Sequence, residues 1–231
     1  LSEVASYSQK QQMKEQLGEK ESGMLGLLHR LKLVCAHPYS VQPDQRLRDH
    51  SPKLQWLLQT LEGIKRAGNG DKVIVFSELR DIQRELQHAI HERFGFKATV
   101  INGDTSTSSQ SAQSRQKLID QFQQQPGFSV IILSTVAVGF GVNVQAANHV
   151  IHFTRCWNPA KEDQATDRAY RIGQEKDVYV YYPTVLDNSM QTFEATLDQL
   201  LEKRRALAQD MLHGASEIQV AEFGELLRAQ G

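Results

Sequence analysis

The sequence predicts an α/β fold: a mostly parallel sheet flanked by helices, with extra helices at the N- and C-terminal ends. Short apolar runs such as KVIVFS and SVIILS alternate with longer amphipathic stretches. Nearly continuous apolar runs of this length are typical of strands buried on both faces. Strands separated by single helices indicate βαβ units, whose strands are parallel. With 231 residues, 40% of them hydrophobic, the chain can bury the core of one such domain.

Local signals set the order of the elements. Ser51 and Pro52 are typical of an N-cap and a first helical residue, so a helix is expected from there to about Ala67. The lead-in helix MLGLLHRLKLVCAH is expected to end at Pro38, before a linker over 39–49. Strands are then predicted at 72–77, 97–101, 129–134, 149–153 and 177–185, with helices between them at about 79–93 and 111–124 and after Pro159. We divide the chain into a helical lead-in and linker (1–50), an α/β lobe (51–188) and C-terminal helices that pack on the lobe or extend from it (189–231).

The composition excludes several classes of protein. The formal net charge is −1, so nucleic-acid binding is expected to be local or shared with other segments. Cys35 and Cys156 match no metal-binding spacing and predict no disulfide framework. No apolar run approaches the length of a membrane span, and the start has no secretory signal, so an intracellular protein is expected. The chain lacks an initiator Met and is expected to be part of a longer protein.

The run QATDRAYRIGQ, from Gln164, is the most informative stretch. If it is one helix, Gln164, Arg168 and Arg171 share a narrow stripe, and Gly173 ends the helix. A second stripe of small and apolar residues would pack on the sheet: Ala165, Ala169 and Ile172. Two guanidinium groups one turn apart form a fork for an anion, of which phosphate is the obvious example.

A glycine-rich loop follows the strand SVIIL. Ser134, Thr135, Gly139 and Gly141 lie where exposed N–H groups suit an anion or a nucleic-acid backbone. A dinucleotide fingerprint is disfavoured because the third glycine and the acidic residue ending the next strand are missing. A tight strand-to-helix turn remains an alternative reading of the same residues.

Other polar positions have structural explanations. Asn158 and Pro159 predict a helix cap, with Trp157 packed at the junction, as readily as a ligand contact. Ser77 is expected to cap the next helix rather than reach a phosphate, and Asn102-Gly103-Asp104 predicts a turn. The eight histidines form no cluster at metal-ligand spacing, so no metal site is predicted. The pair Asp163 and Asp167 predicts a solvated helix face.

The chain contains neither a G-x-x-x-x-G-K-[S/T] phosphate loop nor an acidic box after an apolar strand. A nucleotide hydrolase needs a phosphate cradle, a Mg²⁺ ligand and a residue that orients water, whereas this chain offers an arginine clamp. Arginine fingers supplied across an interface contribute a factor of about 10³–10⁵ to phosphoryl transfer. The sequence therefore predicts half of an active site.

Four blocks resemble the second RecA-like lobe of the Swi/Snf-type ATPases, double-stranded-DNA translocases of helicase superfamily two. They are KVIVFSELRDIQ, INGDTS, STVAVGFGVNVQAANHVIHF and WNPAKEDQATDRAYRIGQEKDVYVYYPTV. HRLKLVCAHPY is similar to a helical motif that precedes this lobe, so the resemblance runs from about Leu25 to about Gln199. It implies a RecA-like C-terminal lobe and an ATP-hydrolysing, DNA-dependent full-length protein, with this chain inactive alone.

The resemblance also assigns roles to residues. Arg168 and Arg171 would be arginine fingers for ATP bound mainly by the first lobe, and Gln164 would help to place the nucleotide. The loop that links ATP state to the DNA strand would contain Gly139, Gly141, Ser134 and Thr135. Ser77 would lie near the DNA backbone, and Trp157 and Asn158 would brace the finger helix.

The implied cofactor is ATP with Mg²⁺, whose ligands are expected on the N-terminal lobe. The implied partners are that N-terminal RecA-like lobe, double-stranded DNA and protein cargo on the DNA, with no membrane. The expected location is the bacterial cytoplasm or nucleoid, or the eukaryotic nucleus. The chain departs from the family pattern at Val138, where a glycine is common, and at Thr154, where an acidic residue is common. Two alternatives remain open: a non-catalytic RecA-like binding module, and a lobe of an RNA-directed superfamily-two helicase.

Overall fold

A computed structural model describes most of the α/β lobe and the helices on either side of it. The residues it describes are 23–24, 26–38, 51–108, 111, 114–138, 143–169 and 174–211. The linker predicted at 39–49, the helix predicted at 216–229 and the glycines Gly139 and Gly141 lie outside these ranges. In the described ranges, no helix is both long enough and apolar enough to span a membrane.

The described residues form five strands and seven helices in a βαβ succession. The lead-in helix α1 covers 26–36. It is followed by α2 (Pro52–Ala67), β1 (Lys72–Phe76), α3 (Arg80–Phe94), β2 (Thr99–Ile101), α4 (Arg115–Gln124), β3 (Ser129–Leu133), α5 (Thr135–Val138), β4 (His149–His152), α6 (Pro159–Thr166), β5 (Tyr179–Tyr181) and α7 (Phe193–Met211). The alternation predicted from the apolar runs is confirmed.

The sheet has the order β2-β3-β1-β4-β5, and all four pairings are parallel. β1 is central: Val73 lies opposite Val130 of β3 and His149 of β4. All residues of β1, β3 and β4 are buried. The chain leaves β1 toward one edge of the sheet and β4 toward the other, so the strand order reverses between them. In open parallel sheets, ligands bind beyond the carboxyl ends of the strands at such a point.

Alternate residues of the central strand serve two separate cores. Val73 and Val75 pack with α2 and α3, whereas Ile74 and Phe76 pack with α4, α5 and α6 on the opposite face. A third cluster joins segments far apart in the sequence, because Leu28 of α1 packs with residues of α7: Phe193, Leu197, Leu200 and Leu201. The lead-in and C-terminal helices therefore pack against each other. The domain boundaries at 50 and 188 stay a prediction.

Two helix termini follow the predicted signals, whereas one helix start, the last strand and the loop after β3 differ from the prediction. Ser51 caps α2, accepting a hydrogen bond from the Leu54 amide, and Gly68 ends the helix at a φ of +73°. The helix predicted at about 111–124 starts four residues later, at Arg115, since Ser114 is its N-cap. The last strand is only three residues long, because Pro183 lacks the N–H needed to extend the edge pairing. The loop after β3 begins with the short helix α5.

Candidate functional site

The carboxyl ends of β1, β3 and β4 are joined by side-chain hydrogen bonds. The Glu78 carboxylate accepts from the Thr135 amide at 2.5 Å and from the Thr135 hydroxyl at 2.6 Å. The Thr154 hydroxyl accepts from the Glu78 amide at 3.1 Å and donates to the Ser77 hydroxyl at 3.3 Å. Hydrogen bonds therefore connect the loops after all three central strands. Thr154, which departs from the family pattern, is one of the residues that connects them.

A cavity of about 570 Å³ opens beside this junction. Its walls come from α1, from the loops after β1, β3 and β4, and from the start of α6. Lys32, Lys161 and His29 place positive or titratable groups on it, while Leu28 and Trp157 supply apolar surface. The Glu78 carboxylate also lines the cavity, which therefore combines charged groups of both signs with an apolar wall at the carboxyl end of the sheet, where a ligand is expected.

Two ionisable groups on the cavity wall are perturbed by burial. Lys32 is only 6% exposed, and burial lowers the pKa of its ammonium group. Burial also raises the pKa of the Cys156 thiol to about 11, while the Thr135 hydroxyl lies 3.2 Å from its sulfur. Cys156 is therefore a neutral thiol at physiological pH and not an activated nucleophile.

The segment predicted to hold the arginine fork is not one continuous helix. α6 ends at Thr166, and the amides of Arg168 and Ala169 bond to carbonyls three residues back, Ala165 and Thr166, at 3.2 and 2.9 Å. This tighter turn over 167–169 stands where the helix was predicted to continue, and Ala169 within it is fully buried. The single helical stripe through Gln164 and Arg168 is therefore wrong, because Arg168 lies beyond the helix.

Arg168 is 8% exposed, and its Nε has no hydrogen-bond partner among the described residues. The Val144 amide donates to the Arg168 carbonyl at 3.1 Å, which ties this turn to the segment that follows the glycine loop. Gln164 is exposed. Arg171 lies outside the described residues. A buried guanidinium nitrogen without a partner is costly.

Most of the other predicted site residues make hydrogen bonds within the lobe. Ser77 is fully buried, and the N-cap of α3 is Leu79, so the prediction that Ser77 caps this helix is wrong. The Ser134 hydroxyl accepts from the Ala137 amide at 3.1 Å and thereby starts α5. Asn158 accepts from the Ala160 amide at 2.9 Å, which confirms the predicted cap.

Trp157 meets Phe193 of α7 edge-to-face, with ring centroids 5.9 Å apart. His149 and His152 contact different groups, and the described residues hold no cluster of three or more metal-ligating side chains. The prediction that Asp163 and Asp167 face solvent is confirmed, since both are exposed.

Sequence reasoning missed a buried ion cluster between α6, which precedes Arg168, and α7. Glu162 of α6 is completely buried, and Arg155 binds it through Nε at 3.0 Å. Arg205 of α7 binds the same carboxylate at 2.9 Å. One signal was available: Glu162 is spaced i, i+3 and i+7 with Ala165 and Ala169, which places a carboxylate on the face that packs against the lobe.

Comparison with known proteins agrees with this architecture. Residues 52–173 match the family described as helicase conserved C-terminal domain. The chain is 67% identical over 228 residues to Zorya protein ZorD of Escherichia coli, covering 99% of this chain and 21% of that protein. It is 35% identical over 214 residues to putative ATP-dependent helicase/translocase YwqA of Bacillus subtilis, covering 90% of this chain and 22% of YwqA. The chain thus spans about a fifth of the length of these relatives.

Solved structures show the same likeness. The Sulfolobus solfataricus SWI2/SNF2 ATPase core domain superimposes with a TM-score of 0.69 at 31% identity, covering 90% of this chain and 40% of that one. The same core in complex with double-stranded DNA gives a TM-score of 0.64 at 32% identity, covering 84% and 38%. The RecA-like fold and the family matched by its sequence agree, and the chain therefore belongs to the helicase conserved C-terminal domain family, as a C-terminal lobe of the Swi/Snf type.

Proposed function

We propose that this chain is the C-terminal motor lobe of an ATP-dependent double-stranded-DNA translocase. In this proposal an N-terminal RecA-like lobe of the same protein binds ATP, and the present lobe supplies Arg168 and Arg171 as arginine fingers. The observation that carries the proposal is the state of Arg168. Its guanidinium is nearly buried, has an Nε without a partner among the described residues, and follows a helix that starts at the carboxyl end of β4.

The residues present fit one side of an ATP site. In this proposal the Arg168 guanidinium binds a phosphate oxygen when the lobes close, because its planar fork of N–H donors matches phosphate geometry. In this proposal the Mg²⁺ ligands lie on the N-terminal lobe. ATP supplies a phosphoryl group on which negative charge develops during transfer to water. Arg168 and Arg171 would stabilise that charge when the lobes close, and Gln164 would help to place the nucleotide.

Coupling to DNA would pass through the joined strand-end loops. Gly139 and Gly141 follow α5, whose first turn is held by Ser134 and Thr135. The hydroxyls of Ser134, Thr135 and Ser77 bond within the lobe, so in this proposal these residues shape the strand-end loops that face the DNA backbone. Trp157 and Asn158 would brace the start of the finger segment against α7.

The finger assignment is tested in a protein containing both lobes. Arg168→Ala or Arg171→Ala is expected to lower DNA-stimulated kcat for ATP by a factor of about 10³ or more, because each removes transition-state charge stabilisation. Arg168→Lys is expected to recover little, since an ammonium lacks the planar fork. Arg66→Ala is the matched control, because Arg66 is an exposed arginine at the end of α2. Near-parental rates in the Arg168 and Arg171 variants would contradict the assignment.

The choice between DNA and RNA as partner is tested by comparing how strongly each stimulates ATP hydrolysis. Duplex DNA is expected to stimulate ATP hydrolysis by the two-lobed protein more than RNA does, and the present chain alone is expected to show no appreciable turnover. Stimulation by RNA in preference to DNA would favour an RNA-directed helicase. Binding without any hydrolysis by the two-lobed protein would favour a non-catalytic module.

The DNA grip is tested through its salt dependence. Lys161 is exposed at the cavity beside the strand ends, so Lys161→Gln is expected to reduce the slope of log affinity against log salt by about 1. Lys97→Gln is the matched control, because Lys97 is an exposed lysine that precedes β2, at the amino edge of the sheet. Equal slopes in the two variants would remove the cavity rim from the DNA-binding surface.

A further inference from the structure

The carboxylate of Glu162 joins three separate segments of the lobe. Glu162 lies on α6 and is 0% exposed. Its Oε1 accepts from Arg155 Nε at 3.0 Å and from the Cys156 amide at 2.7 Å, both in the loop after β4. Its Oε2 accepts from Arg155 Nη2 at 3.1 Å and from Arg205 Nη2 of α7 at 2.9 Å. Both oxygens of this buried carboxylate are therefore satisfied by charged or backbone donors, as a buried charge requires.

The two arginines are themselves balanced by α7. Arg155 pairs with Asp198 through Nη1 and lies 3.5 Å from Glu202. Arg205 binds Asp163 at 2.9 Å and Glu202 at 2.5 Å. The network therefore runs from the β4 loop through α6 to two turns of α7. Without Arg205 the Glu162 carboxylate still accepts from Arg155 and from the Cys156 amide, whereas loss of the Glu162 charge would leave the buried Arg155 with less compensation, which is costly.

Tyr182, which follows β5, closes the network with its ring. The guanidinium carbon of Arg155 lies 4.4 Å from the ring centroid and that of Arg205 lies 5.2 Å from it. His152 stacks on the same ring, with centroids 4.9 Å apart, and its Nε2 lies 2.8 Å from the Thr166 hydroxyl at the last residue of α6. Both halves of α6 are thus tied to the same group of side chains.

This network matters because α6 has little else to hold it. A helix of eight residues is not stable by itself. Only Pro159, Glu162 and Ala165 of α6 are buried. Pro159 is its first residue, and Ala165 has a small side chain. Glu162 is therefore its longest buried anchor. Arg168 follows two residues after the helix ends, so its place depends on how α6 is oriented.

We propose that Glu162 and Arg205 are positioning residues for the arginine segment, and that α7 is an integral part of the ATP-hydrolysing lobe. The C-terminal helix holds α6 through Arg205, and α6 in turn holds Arg168 facing the nucleotide. Displacement of α7 would therefore withdraw the arginine segment without touching the rest of the sheet. The inference rests on the proposed function, because it requires that Arg168 acts on ATP.

The test uses Arg205→Met in the two-lobed protein, because this side chain is partly exposed and its loss should leave the lobe folded. A fall in kcat of about tenfold or more is expected, with KM for ATP and DNA affinity changed by less than about threefold, since small misplacements of a catalytic group are costly. Binding of ADP with aluminium fluoride, a mimic of the transferring phosphoryl group, should weaken while binding of ADP alone does not. Arg205→Lys should recover part of the loss. Arg93→Met is the matched control, because Arg93 is an exposed arginine that pairs with Glu62 of α2 at 2.8 Å, away from α6 and α7.

A second variant, Glu162→Gln, keeps the side-chain volume but presents an amide to two guanidinium groups, and the same pattern with a larger fall in kcat is expected. Parental kcat in Arg205→Met, or equal losses in ADP binding, DNA affinity and kcat, would overturn the positioning role. A slow Arg168→Ala protein beside a fast Arg205→Met protein would overturn this inference alone. Parental hydrolysis by Arg168→Ala would overturn the proposed function together with the inference.

Discussion

Glu78 and Thr135 are linked by two hydrogen bonds, from the Thr135 amide and the Thr135 hydroxyl to one carboxylate oxygen of Glu78. The residues lie 57 positions apart in sequence and come from the loops after β1 and β3. The pair therefore converts two separate loop ends into one surface at the carboxyl edge of the sheet.

Replacing Glu78 by alanine is expected to lower the free energy of unfolding by about 1–3 kcal/mol, because the partly buried Thr135 amide loses its acceptor. Urea denaturation of the chain measures this directly. Glu175→Ala, at an exposed position, is the control and should change stability by less than about 0.5 kcal/mol. Equal effects of the two substitutions would show that the Glu78–Thr135 link contributes no stability.

Lys53 of α2 and Glu194 of α7 form a buried ion pair whose side chains are 2% and 3% exposed. Lys53→Met should destabilise the fold by about 3–5 kcal/mol, because it leaves the Glu194 charge buried without a cation. Adding Glu194→Gln should return part of that loss, since the glutamine is neutral and its oxygen can still accept from the Val185 amide. A double variant less stable than Lys53→Met would contradict this reading of the pair. Thermal or urea unfolding of the three proteins is the measurement.

His152 predicts a pH dependence of stability. Burial, reinforced by the nearby charges of Arg155 and Arg205, lowers its pKa from 6.5 to about 3. Between these values the unfolded chain binds a proton that the folded chain does not. The free energy of unfolding should therefore fall as pH drops through this window, by up to about 1.4 kcal/mol per pH unit. His152→Gln should show a shallower pH dependence in urea titrations, and an unchanged slope would contradict the assignment.

Both cysteines are expected to react slowly in the folded protein. Burial raises the pKa of the Cys35 and Cys156 thiols to about 11, so only about one thiol in a thousand is ionised at pH 8. Alkylation by iodoacetamide at pH 8 should be far slower in the native protein than in urea, where both thiols have ordinary pKa values. Mass spectrometry measures the rate, and rapid alkylation of either cysteine in the native protein would contradict this prediction.

Much of the fold was predictable because its signals are local. Buried strands of a parallel sheet need continuous apolar runs, and β1, β3 and β4 coincide with the runs seen in the sequence. Helix caps depend on a side chain and an amide only two or three residues away, so Ser51 and Asn158 were identifiable without tertiary information.

The errors arose where tertiary packing competes with a local pattern. The sequence pattern continues a helix through Arg168, but the chain tightens after Thr166 and buries Ala169 against the sheet. Serine is a common N-cap residue, yet Ser77 directly follows a central strand and its hydroxyl accepts from Thr154, which lies in the loop after the neighbouring strand. Periodicity assumes one regular element and cannot register such a change in geometry.

The sequence by itself determined the fold class, the strands, the family and the candidate arginine segment, because apolar periodicity, caps and family motifs are all written in short contiguous stretches. Only the tertiary structure decided that Glu162 meets Arg205, 43 positions away, and that α1 packs on α7. Charged residues on an amphipathic helix look alike whether they face solvent or a partner. Which of them is buried depends on how distant segments fold back, and that is settled by the free energy of the whole packed lobe rather than by any one stretch.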